Sequence, residues 1–137
     1  MGAFYTGCRV ENHVDRSKST RLSKLLVDTG SEYTWIPASR LESIGVKREK
    51  KDVRFIMANG EVVTRSIGFA VLRVGSHFTI DEVVFAEPGD LLLLGARTLE
   101  GLNLMVDSAR KKLVAAGPLP AACTRAGRLC RRLIDFV

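Results

Sequence analysis

Leu25-Leu26-Val27-Asp28-Thr29-Gly30-Ser31 places an acidic residue at the end of an apolar run, directly before a small and flexible turn. Asp, Gly and Ser are ordinary turn formers, so this segment alone also fits a strand that simply ends in an Asx-type turn. The surroundings supply more. Downstream the chain reads Glu32-Tyr33-Thr34-Trp35-Ile36-Pro37, then Ala-Ser-Arg-Leu-Glu-Ser-Ile and Gly45. Pro37 and Gly45 are preferred helix-start and helix-stop residues, with Leu41 and Ile44 on one apolar stripe.

Outward from this centre, the signals are short strands joined by tight turns. Phe4 to Val10 and Leu22 to Val27 read as strands around a polar connection, Glu11 to Thr20, which is expected to be a long hairpin loop. Val53 to Ala58 and Val62 to Val74 flank Asn59-Gly60, the dipeptide suited to positive φ at both centres of a type I′ turn. Gly75-Ser76 joins that second run to His77 to Phe85, and Asp107 to Arg110 separates Leu102 to Val106 from Leu113-Val114. Ala96 to Leu102, directly after Gly95, is a second short helix. The expected class is all-β with one or two short helices.

The chain has 137 residues, 46% hydrophobic and 26% charged, a size and balance that fit one soluble domain. No apolar run approaches the roughly 18 to 20 residues that span a bilayer, and the N-terminus lacks a charged segment followed by an apolar one, so a cytoplasmic protein is expected. The opening Met-Gly-Ala-Phe-Tyr-Thr also fits a myristoylation pattern, one loose enough to recur by chance. Cys8, Cys123 and Cys130 form no close CxxC pair, which favours reduced thiols and no metal site.

The net charge is +6. Arg125, Arg128, Arg131 and Arg132 against Asp135 concentrate half of it in the last residues. Gly-Pro-Leu-Pro-Ala-Ala (117–122) reads as a linker, and from Ala126 the apolar positions Leu129, Cys130, Leu133, Ile134 and Val137 alternate with arginines as on a basic amphipathic helix. The expected organisation is a domain over 1–116 and a linker with a basic helical tail over 117–137. Lys47-Arg48-Glu49-Lys50-Lys51-Asp52 mixes both signs without an aromatic residue, which argues against nucleic acid as a partner. A lesser alternative is membrane or nucleic-acid anchoring through the tail.

The run Leu26 to Val46 resembles the retropepsin-like aspartic proteases, the single-domain retroviral-protease-like enzymes of clan AA, and so does Leu92-Leu93-Leu94-Gly95-Ala96-Arg97-Thr98-Leu99-Glu100. The resemblance covers roughly residues 4–116 and includes an Asn-Gly hairpin where the family carries its substrate-covering flap. It implies a closed acid-protease barrel, a peptide or protein substrate, no cofactor, and Asp28 as the catalytic carboxylate. Asp-Thr-Gly occurs once, so the implied enzyme is a homodimer with an Asp28 from each subunit sharing a proton. Thr29 is implied to brace the dimer axis, and Gly30 to let the backbone approach the carboxylates. Ser31 is a candidate donor to Asp28. Ile56, Met57, Ala58, Asn59 and Gly60 fall on the flap, and Leu93, Leu94 and Gly95 pack beside the catalytic turn.

Ala96 stands where retroviral enzymes usually carry Arg, and Glu32-Tyr33 replaces their two acidic residues, so their intersubunit ion pairs do not transfer. The alternative is a catalytically silent dimerisation or peptide-binding module on the same fold. The chain is also a candidate for processing from a longer precursor. His13 and His77 follow no nucleophile-elbow pattern and read as surface residues. Tyr33 and Trp35 fit either a substrate pocket or core packing.

Overall fold

The structure, a computed structural model, describes residues 3–119. The chain runs β1 (Tyr5–Asn12), β2 (Ser19–Val27), β3 (Thr34–Pro37), α1 (Ala38–Ser43), β4 (Lys50–Ile56), β5 (Val62–Val74), β6 (His77–Ala86), β7 (Leu93–Leu94), α2 (Ala96–Leu102), β8 (Leu104–Asp107) and β9 (Lys112–Ala115). Seven strands form one sheet in the order β1-β2-β7-β3-β6-β5-β4, and β1 pairs with β5 as well, so the sheet bends round into a ring from which β4 projects. β8 and β9 form a separate two-stranded sheet. Among the described residues no helix is long and apolar enough to cross a membrane. The tail helix expected from Ala126 lies outside the described residues.

Period-2 alternation divides the ring sheet into two faces. Ile36, Val83, Phe85, Leu94, Ala70 and Leu72 point into the main core, with Leu41 and Ile44 of the α1 region and Leu99 and Leu102 of α2. Their strand neighbours Trp35, Val84, Ala86 and Leu93 form a second cluster with Ile67, joined by Phe55, Met57 and Val63. A strand buried on both sides reads as an unbroken apolar run, as in Val83-Val84-Phe85.

Both short helices form where expected, with Pro37 and Gly95 as N-cap residues and Gly45 at φ 76° just beyond α1. Three expectations need correction. The polar connection is shorter than Glu11 to Thr20. Glu11 and Asn12 belong to β1 and are buried, where Glu11 accepts from Arg9 and Arg73 at 2.9 Å each and Asn12 Nδ2 donates to the Ile44 carbonyl at 2.9 Å. Local polarity misreads them because the partners Arg73 and Ile44 are distant in sequence.

The flap tip is not a two-residue type I′ turn. Gly60 N–H donates to Met57 O (2.9 Å), Met57 N–H donates to Glu61 O (2.8 Å), and of the Asn59-Gly60 pair only Gly60 has positive φ, at 85°. This is a longer loop ending in a left-handed glycine, and the Asn59 side chain accepts from Glu61 N–H at 2.9 Å. Finally, His77 is half-buried rather than a surface residue, with Nδ1 3.1 Å from the Leu102 carbonyl.

Candidate active site

Asp28 follows the last residue of β2, and two neighbouring segments fix the backbone of its turn. β7 runs parallel to β2 with Leu26 opposite Leu93 and Val27 opposite Leu94. Asp28 N–H donates to Leu94 O at 3.0 Å, while Ala96 N–H and Arg97 N–H, opening α2, donate to the carbonyls of Ser31 (2.7 Å) and Glu32 (3.1 Å). The turn over 28–33 is therefore held by main-chain bonds from the apolar-apolar-Gly segment and the helix that follows it. Gly95 makes this approach possible, since a Cβ there would collide with the Tyr33 carbonyl.

The Asp28 carboxylate accepts one hydrogen bond among the described residues, from Gly30 N–H to Oδ1 at 2.9 Å. A Cβ on Gly30 would press against that same oxygen at 3.3 Å. The Ser31 hydroxyl does not reach Asp28 as expected. It donates to the Tyr33 carbonyl at 3.4 Å, because the turn rotates its side chain along the loop rather than back across it. Thr29 is exposed and borders a separate cavity of about 70 Å³ with Ala3, Phe4, Val27, Val106, Ser108 and Lys111.

Asp28 opens onto a cleft of about 480 Å³. Its floor carries Gly30, Ser31, Glu32, Tyr33, Trp35 and Leu93; its roof is Ile56, Met57 and Ala58 of the flap with Phe55, and Leu91 forms a wall. Phe55 stands edge-on to Tyr33 at 5.4 Å and tilted against Trp35 at 5.2 Å. Trp35 thus serves both readings offered for it, packing in the second cluster at 5% exposure and lining the cleft. Ile56 and Leu91 stay 80% and 64% exposed on the rim, large apolar surfaces suited to an apolar ligand. Of the other expected residues, Asn59 and Gly60 lie at the flap tip beyond the cleft lining, and Leu94 faces the main core.

Beneath the floor runs a polar chain that no sequence motif marks. Thr34 and Thr98 are fully buried; Gly95 N–H donates to Thr34 Oγ1 (2.9 Å), the two hydroxyls are 2.6 Å apart, and Thr98 Oγ1 donates to Asp81 Oδ2 (2.9 Å). Because Thr98 uses its proton on Asp81, Thr34 must donate to Thr98, which fixes the direction of the chain. Elsewhere, the Cys8 thiol is buried and pushed up to about 12 by desolvation, so it is no nucleophile.

Residues 18–98 match a family model described as aspartyl protease. No curated protein matches the chain.

Proposed function

The chain belongs to the aspartyl protease family, and on that premise we propose that it is a cytoplasmic homodimeric aspartic endopeptidase whose two Asp28 carboxylates, one from each subunit, activate the water that attacks a peptide bond. The reading takes the ring-like sheet as the family's barrel, residues 1–116 as the protease domain and 117–137 as an appended linker and tail. The observation that carries it is the placement of Asp28 at the turn that opens onto a flap-covered, largely apolar cleft, its carboxylate bonded among the described residues only to the Gly30 amide.

Two carboxylates about 3 Å apart cannot both ionise readily, so the pair shares one proton. The ionised member takes a proton from water while the protonated one donates to the scissile carbonyl oxygen, and the roles reverse as the amine leaves. In this reading the Gly30 amide, donating to Oδ1, orients the carboxylate, and Thr29 braces the two turns across the axis. Substrate backbone adds as a strand beneath the flap, and the cleft's aromatic and aliphatic walls favour apolar side chains on either side of the scissile bond.

The test is cleavage of a peptide library across pH by the wild-type chain and by Asp28→Asn. Asp28→Asn should abolish cleavage and keep fold and dimer, because Asn is nearly isosteric and removes repulsion between the turns. With free subunit exchange, equal amounts of the two chains leave about half the wild-type activity, because a mixed dimer lacks one carboxylate. Undiminished activity despite verified exchange sinks the shared dyad. A folded wild-type dimer that cleaves nothing at any pH assigns the chain to the silent peptide-binding alternative.

A further inference from the structure

The inner face of the flap strand carries one residue out of pattern. Along β5, Val63 and Ile67 turn toward the cluster under the cleft, and Arg65 lies between them on the same face. A guanidinium in an apolar row is costly unless it is paired with good geometry. Here it is: Nε and Nη2 donate to the two oxygens of Asp90 at 2.7 and 2.8 Å, Nη1 donates to the Thr64 carbonyl at 2.8 Å, and both charged side chains are only 13% exposed. Glu87 Oε1 lies 3.7 Å from Nη1 as a second, looser anion.

Asp90 is itself built in. It closes the turn Glu87-Pro88-Gly89-Asp90, with its N–H on Glu87 O (2.9 Å), its Oδ2 accepting from Glu87 N–H (2.8 Å), and Gly89 at φ 93°. The next residue is Leu91, the apolar wall of the cleft. The forked pair therefore ties the base of the flap to the turn that presents that wall, at the height where a ligand side chain would enter.

We propose that Arg65 and Asp90 act as a positioning clamp that fixes the gap between flap and Leu91 and so sets the size of apolar side chain the cleft admits. The inference rests on the cleft being the peptide site, yet its test needs no catalysis. Amide exchange is compared in wild type, Asp90→Asn and Arg65→Lys, the last keeping the charge while losing the fork. Loss of the clamp should speed exchange of the flap amides, Met57 among them, by about tenfold, while amides of Val71 and Val83 in the core keep their rates. Arg65→Lys should fall between and serves alone if Asp90→Asn does not fold. Peptide binding is followed by the emission of Trp35, the single tryptophan. Discrimination between a central Leu and a central Phe in otherwise identical peptides should narrow by several-fold in both variants. Flap and core amides accelerating together would make the pair a general brace, and unchanged flap rates would make it idle; either overturns the clamp. If wild type binds peptide but cleaves none, the endopeptidase reading falls and the clamp stands.

Discussion

Replacing Thr34 by Val tests whether the polar chain under the floor holds the turn. Val keeps the branched shape and deletes one hydroxyl. Gly95 N–H is then left without an acceptor in a spot where Thr34 is wholly buried, and Thr98 Oγ1 loses the proton it accepted at 2.6 Å. An orphaned buried donor costs about 1–3 kcal/mol, and the added methyl recovers only part of that. With a urea slope near 2 kcal/mol/M, the unfolding midpoint should fall by roughly 1 M. Thr98→Val should cost a similar amount, because the half-buried Asp81 can turn to water but the buried Thr34 hydroxyl loses its acceptor. The two together should cost less than their sum, since they share one chain of bonds. The assay is urea unfolding at one fixed protein concentration, with Thr34→Ser as the variant that keeps the hydroxyl. Equal midpoints for Thr34→Val, Thr34→Ser and wild type would refute the reasoning. A second readout follows from Gly95 lying next to Leu94, whose carbonyl holds the Asp28 amide at 3.0 Å: kcat should drop in Thr34→Val and return in Thr34→Ser.

Ser31→Ala should leave the acidic limb of the pH–activity profile in place, because the hydroxyl bonds Tyr33 O and not Asp28; an upward shift of that limb would place the hydroxyl on the carboxylate. The Lys50 hydrogen bond holds Glu82, and the Arg65 hydrogen bonds hold Asp90, below the usual carboxylate range. Folded-state pKa values that are depressed confer stability above the unfolded values of about 4, lost as pH falls through the folded ones. The urea midpoint should therefore drop on acidification below about pH 4, and Asp90→Asn should flatten part of that fall. Gly95→Ala should leave little folded protein in solubility and circular dichroism measurements, because its Cβ meets the Tyr33 backbone, which has nowhere to move; a well-folded variant would mean the loop shifts freely.

What the sequence made legible is what is local. The Asp-Thr-Gly turn after an apolar run, the Pro37 and Gly45 boundaries of α1, and Ala96–Leu102 as a helix after Gly95 all depend on residues within a turn or two of one another, and each forms as read. The Asn-Gly hairpin forms too, but its turn type depends on which residue bears the positive φ, and Asn59 tolerates either conformation. The closing β1–β5 pairing, the Arg73–Glu11 ion pair, and the Thr34–Thr98–Asp81 chain join segments far apart in sequence, where neither propensity nor periodicity carries information. Ser31 failed as a donor to Asp28 for a finer reason, a side-chain rotation within the turn. Arg65 did leave a trace: a charged residue at an apolar position of Val63-Thr64-Arg65-Ser66-Ile67, which in hindsight asks for a buried acid opposite.

The two-faced sheet also constrains how descendants of this chain can change. On Ile36, Val83, Phe85 and Leu94 the neighbours dictate volume, whereas Trp35 and Leu93 on the opposite face line the cleft, so ligand preference can drift by point substitution while the interior keeps its residues. Insertion of a single residue within β6 or β7 has no such freedom. It would exchange the two faces beyond that point, turning floor residues inward and interior residues toward the ligand. Lineages should accordingly gain and lose residues in the 13–18 connection and at the hairpin tips, and keep strand lengths fixed around the Asp28 turn.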